Sequence, residues 1–488
     1  MNKNQQNHGY LPDECPSFGK LLLYAIQQVI VMFPATVTVA LITGFQVSTT
    51  IFASGLATLC FILITRKKIP LYYGSSFSYL TAVISLMTSQ SITSKLSPEA
   101  LTQLNAWLGG ASPVMPGEAI SYAQFGIIMS GFVSIAAGLL VKYSGKDAVE
   151  KILPATITGP IAMIIGLTLA GNALSDAAPK ALAEGAAATV FNSGWVWIIS
   201  LLTLLSTILF ARYLKGFLGQ LPLLLGAAVG CAVSGILYLV GGQDMSLFRS
   251  IQPEAIASTI WSAGPIAVPA FTIPKFSLEA VLAIMPIAIA TIPESTAHIY
   301  QLDIYVNDVA KKKKSPKKYN LADNLHLNLI GDGLCDMISG FVGGPAGTNY
   351  GENISTMAIT KVFSVPVLAC AAVIAMVMSF FTPMIKGIYG IPLPVIGGLE
   401  VYLFGAIAAQ GMAIMIDKKV DMFSSKNIAV IATIMVIGIG GQYAFGGNID
   451  FFGINVPCIA GAAIFGILLN LILSIGEKKQ EAQQDLAA

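Results

Sequence analysis

Apolar runs of membrane-spanning length, separated by short polar segments, fill the chain from residue 20 to residue 475. A helix needs about 20 predominantly apolar residues to cross the hydrocarbon core of a bilayer. That ruler marks 20–43, 48–65, 119–142, 153–174, 193–212, 216–240, 280–300, 325–343, 363–385, 391–416, 427–446 and 455–475. Two more stretches, 69–89 and 346–362, are apolar overall but broken, the first by "YYGSSF" and the second by "TNYGEN". Counting both, the pattern predicts an all-α polytopic membrane protein of fourteen transmembrane segments.

Composition agrees: of 488 residues, 55% are hydrophobic and 11% charged, against about 25% charged in soluble domains. With the N-terminus inside, only Lys95, Lys180, Arg249, Lys275 and Lys386 of the 27 Lys and Arg residues fall in outer loops. The rest crowd the inner side, as the positive-inside rule expects, and one miscounted span would scramble that asymmetry. Both termini are therefore expected in the cytoplasm, as tails 1–19 and 476–488. The first apolar run lacks a small-residue cleavage site, so it reads as a first transmembrane helix and not a signal peptide. The net charge of +2, with basic residues confined to loops, gives no reason to expect a nucleic-acid partner.

The chain also looks doubled. "LPATITGPIAMIIGLTLAG" runs from Pro154 to Gly171 and "LPVIGGLEVYLFGAIAAQG" from Pro394 to Gly411 at the same spacing. Each broken span is third in a set of seven, and an odd number per set makes the two repeats inverted. Matching interruptions in an inverted repeat point to a transporter's binding site.

Broken backbone at membrane depth is tolerated only where protein or a cavity covers it. At Gly74-Ser75-Ser76-Phe77 and Tyr350-Gly351-Glu352 the chain is expected to pass from extended to helical. The new helix starts then offer bare N–H donors and a positive dipole end, which suits a flat polar ligand with carbonyl oxygens. Loop tips with helix caps are the plainer alternative. Glu294 and His298 lie four apart on one helical face; a carboxylate beside an imidazole can hold a ligand N–H and take a proton. Asp332 and Asp336 form a second such pair, for which a structural network and a coupling role stand equally. Glu400 faces either the site or an aqueous vestibule. The six cysteines are scattered and make no Cys/His cluster, so neither a metal nor another cofactor is expected.

With "YYGSSFSYL", "PESTAH" and "NYGENISTMAIT" the chain resembles the nucleobase–ascorbate transporters, and among them the bacterial uracil–proton symporters. The family signature, an acidic or amide residue followed by Asn, any residue, Gly, four residues and Thr, reads here from Glu352 and Asn353 to Thr360. A carboxylate in first position resembles the pyrimidine carriers. The resemblance implies a core domain at 20–142 and 280–385 (spans 1–4 and 8–11), a gate domain at 153–240 and 391–475 (spans 5–7 and 12–14), and a homodimer. It also implies that Glu294 and Glu352 accept ring N–H groups and that the Phe77 and Gly351 N–H groups, beside Ser76, bond carbonyl oxygens. Tyr350 or Phe77 would pack on the ring, and His298 would lie behind Glu294 on the proton path.

Four residues depart from the pattern: Ser355 replaces the signature Gly, Gln28 a common His, Asp332 a common Asn, and Phe404 an expected gate Tyr. The outer loop at 90–118 is also long. The expected function is proton-coupled uptake of a nucleobase, uracil foremost, across a bacterial cell membrane, with sodium coupling as the other option. A xanthine or other purine permease is the alternative, and an anion exchanger of the same architecture a more remote one. An enzyme is not expected, because no nucleophile or metal constellation is present.

Overall fold

The computed structural model describes residues 9–145, 153–181, 189–249, 264–451 and 454–475. The tail 476–488, the first eight residues, and the inner-loop Lys146 and Lys151 lie outside the described residues. Helices occupy every stretch that the hydropathy pattern marks. The first half contains α1 (Phe18–Thr43), α2 (Val47–Ile64), strand β1 (Tyr73–Ser75), α3 (Phe77–Thr88), α4 (Gly117–Ser144), α5 (Ala155–Ala177), α6 (Trp195–Tyr213) and α7 (Pro222–Gly241). The second contains α8 (Leu278–Lys312), α9 (Leu325–Val342), strand β2 (Gly347–Asn349), α10 (Gly351–Thr360), α11 (Val365–Met378), α12 (Leu393–Asp417) and α13 (Ser425–Phe445). A hairpin of β3 (Asn448–Phe451) and β4 (Ile454–Pro457) then leads into α14 (Cys458–Leu473). Among the described residues, nine helices are long and apolar enough to cross a membrane.

Several boundaries differ from expectation: α7 starts at Pro222 and not at 216, and α11 ends at Met378 and not at 385, with a separate short helix at Thr382–Tyr389. Helix α8 runs twelve residues beyond the predicted end at 300, to Lys312. Its apolar positions Ile299, Leu302, Val306 and Val309 stay buried at helical spacing while the other face turns polar. Asp303 then receives the N–H groups of Leu321 and Ala322 at 2.6 and 3.1 Å, which secures the return of the chain. In the predicted segment 455–475, the residues before Cys458 are strand, and Pro457 caps the helix.

Two packing groups emerge. In one, α4 lies against α9, and α2 against α9 and α11, with α1 beside α11. In the other, α12 packs on α5, α6 and α7, and α13 joins α5 and α14. The α4–α9 crossing is close because Gly131 and Gly333 face one another: a Cβ on either would lie 2.3 Å from the other's carbonyl oxygen. Close backbone approach through small residues is how helices gain packing energy where the hydrophobic effect is absent. Helices α6 and α7 leave Trp197, Leu201, Leu205, Leu239 and Val240 exposed. An apolar surface on most sides of a helix marks a membrane span or a face covered by protein.

On the lysine-rich side, the segment before α1 is strapped to the ends of α8 and α10. Tyr10 bridges to Val362, Glu14 pairs with Lys313 at 2.6 Å and Asp13 with Lys317 at 2.8 Å, and the Tyr319 hydroxyl donates to Asp13. Burial works against ionised Asp13, but its bonds from Lys317 and Tyr319 outweigh this and hold the carboxyl below its ordinary range.

Gly131→Val is expected to cost at least about 2 kcal/mol by overpacking the α4–α9 crossing. Thermal denaturation of the purified protein checks this: the melting temperature falls well below that of wild type, whereas Phe132→Leu, on the exposed face of α4, leaves it nearly unchanged.

Candidate functional site

The two broken spans meet inside the protein. Strands β1 and β2 pair antiparallel, with Tyr73 opposite Asn349, Gly74 opposite Thr348 and Ser75 opposite Gly347. Ser76 N donates to Ala346 O at 3.0 Å and Tyr350 N to Tyr72 O at 2.9 Å, extending the ladder at both ends. Side chains satisfy what the ladder leaves. Ser54 and Thr58 donate to Tyr73 O at 2.8 and 3.1 Å, and Thr58 Oγ1 accepts from Tyr73 N at 3.0 Å. Asp336 Oδ1 accepts both the Tyr73 hydroxyl and, at 2.8 Å, the Gly347 N–H. The Tyr350 hydroxyl donates to Ser75 O at 3.1 Å and shares a 2.9 Å bond with Thr36.

Past the strands the chain turns helical at Phe77 and at Gly351. The first N–H groups of a helix have no intrahelical acceptor, and here both sets border a cavity of about 380 Å³. Its walls bring together Ser76, Phe77, Glu294, His298, Tyr350, Gly351 and Glu352. Ala162 and Ile165 of α5, Leu403 and Gln410 of α12, and Gln220 close the opposite side. Glu294 and Glu352 come from α8 and from the first turn of α10, two carboxyl groups on one cavity. His298 lies against the α10 start: a Cβ on Gly351 would be 3.0 Å from its Nε2, and its Nδ1 has no partner among the described residues. The cavity extends toward Ile414, on the lysine-rich side.

Other candidates stand behind this wall. Asn353 donates to Gln28 O and Oε1 at 3.1 and 2.8 Å, tying α10 to α1. Asp332, only 5% exposed, accepts from Asn349 Nδ2 at 3.1 Å, and the same amide donates to Asn328 at 3.1 Å. Asp336 belongs to the strand ladder. Ser355, where the signature has Gly, lines the cavity, whereas Phe404 does not. Glu400 is outside this cavity and lines a second one. Sequence reasoning missed Gln220 and Gln410; an isolated amide in the apolar run of α12 was the available signal for Gln410.

The model of the Permease family, a xanthine–uracil type, matches residues 19–447. A uracil permease of Bacillus caldolyticus is 34% identical over 461 residues, covering 94% of this chain and 93% of that one. The putative pyrimidine permease RutG of Escherichia coli (strain K12) is 32% identical over 464 residues, 95% of this chain and 91% of its own. Among solved structures, the transmembrane domain of the cyanobacterial bicarbonate transporter BicA shares the fold. Its TM-score is 0.55 at 14% identity, over 93% of this chain and 98% of that domain.

Asp336→Asn is expected to destabilise the protein by about 1–3 kcal/mol, because one acceptor serves two buried donors. Tyr73→Phe should cost less, and the double variant less than the sum by about 1 kcal/mol or more. Thermal melts of the three variants check the coupling.

Proposed function

This chain belongs to the nucleobase–ascorbate transporter family, and on that premise we propose that it imports uracil together with a proton by alternating access. One observation carries the reading: two carboxylates, Glu294 and Glu352, and two helix starts, at Phe77 and Gly351, border one cavity of about 380 Å³. Uracil presents two N–H donors and two carbonyl acceptors in one plane. The carboxylates accept the donors, the main-chain N–H groups of Phe77 and Gly351 donate to the carbonyls, and Phe77 or Tyr350 packs on the ring. A solute lacking one of these groups leaves a buried partner unpaired, a mismatch worth about 10⁴-fold in discrimination. The identity with uracil and pyrimidine permeases along nearly the whole chain supports the same substrate class.

Two ionised carboxylates in one enclosure repel, so a proton bound with the substrate makes loading favourable, with His298 as the neighbouring relay. In this reading α1–α4 and α8–α11 form a core that carries the site past a gate of α5–α7 and α12–α14. The two packing groups support that division, and the close glycine crossing of α4 and α9 supports a core that moves as one body. The cavity's extension toward the lysine-rich side corresponds to an inward-facing state of a fourteen-span carrier in the cell membrane.

The test is uptake of labelled uracil into cells lacking their own carrier, with and without a proton uncoupler, competed by excess xanthine. Uptake should be uncoupler-sensitive and untouched by xanthine, and Glu294→Gln or Glu352→Gln should each lower it by about 100-fold. Unchanged uptake in both variants would refute the site. Strong xanthine uptake without uracil uptake would redraw it for a purine, with Ser355 and Asp332 as the residues to exchange first.

A further inference from the structure

A second cavity, of about 250 Å³, lies on the same α5–α12 face, toward the lysine-poor side. Glu400, one helical turn before Leu403 of the first cavity, is in its wall. Between the two cavities sits an apolar plug of Val39, Leu80, Leu169, Leu403 and Phe404. The two chambers are thus in line, and the plug is the closed stretch between them.

The second chamber is built from charge. Asp176 and Lys180 pair at 3.5 Å, and with Arg249 and Glu400 they give two cations and two anions on one wall. Arg249 is anchored by its own main chain, N to Gly390 O at 3.2 Å, and by Nη2 to Ser112 O at 3.3 Å, in the long outer loop. Burial pushes its guanidinium below the ordinary range, against the opposing pull of Asp176 and Glu400. Two groups are left over: Glu400 is 2% exposed, yet its Oε2 has no hydrogen-bond partner among the described residues, and neither has the buried Arg249 Nε. A buried polar atom without a partner is costly and calls for a ligand or water.

We propose that this chamber is an outer docking site for a neutral, planar cyclic amide, the substrate itself in transit. Balanced charge gives no advantage to an ion. One unpartnered donor and one unpartnered acceptor on residues of one lining suit a ligand that carries both a C=O and an N–H, and the Trp107 indole in the same lining supplies a flat apolar wall. Exposed Gly171, Asn172 and Ser175 leave it open to the outer solvent. This inference rests on the nucleobase-carrier reading.

Equilibrium dialysis of labelled uracil against the purified full-length protein tests it. Wild type should bind two uracils per chain, the second about ten-fold or more weaker. Glu352→Gln should retain the weak class, and Glu400→Met or Arg249→Lys should lose it and raise the uptake KM about ten-fold, with a smaller change in Vmax. A single class of sites in a wild type that transports uracil would overturn the docking site alone, as would a KM unmoved in both outer variants. Neither binding nor uptake of uracil by wild type would overturn the docking site together with the carrier reading.

Discussion

Everything at the centre of this protein follows from the inability of lipid to hydrogen-bond a peptide group. Two chain segments abandon the helix in the interior of the protein, and each would strand several main-chain donors and acceptors. They solve the problem jointly, β1 with β2, and a ring of small hydroxyls and one carboxylate absorbs the remainder. The ladder consumes strand groups on both segments and ends where Phe77 and Gly351 open the first turns of helices, whose N–H groups have no intrahelical acceptor. Hydrogen-bonding capacity is thus left at the helix starts that border the larger cavity. Glu294 and His298 follow Pro293 and a 3₁₀ turn at Met285–Ile287 on α8, which packs beside β2 and α10, so the wall next to the ladder is also irregular helix.

Much of this was legible in the sequence because membrane burial imposes long apolar runs. The breaks at Gly74 and Gly351 stood out against those runs, and the spacing of Glu294 and His298 placed them on one face. The pairing of β1 with β2 was not legible: it runs through main chain, which leaves no side-chain signature, and its members are 270-odd residues apart. For the same reason Asp336 could not be separated from Asp332, since only the fold shows which one meets the Gly347 N–H. The length of α8 past residue 300 was hidden because hydropathy falls where the helix leaves the apolar layer, although its buried stripe continues. Asp176, Arg249 and Glu400 lie on three distant segments, and nothing local to any of them announces a shared chamber.

Seen together, the two cavities give α5 and α12 a common task. Both helices present mostly small or apolar residues toward the inner chamber, with Gln410 the polar one on α12, a carboxyl each toward the outer chamber, Asp176 and Glu400, and a plug between them in which Phe404 is 2% exposed. Phe404, a departure by its position in the sequence, is explained by this location: a tyrosine there would need a partner for its hydroxyl within an apolar plug. Ser355 lies on the wall of the larger cavity instead, where its hydroxyl adds a polar group to the lining and none to the plug.

The β1–β2 ladder has an evolutionary corollary. Its strand-to-strand bonds are made by main-chain groups, so the frame beside the cavity depends on the residues that pack on the ladder itself and not on those that line the cavity wall opposite. Substitutions at the pocket wall can therefore accumulate without dismantling the scaffold. A lineage built on this joint could drift from one solute to another through a handful of side chains, each intermediate still folded.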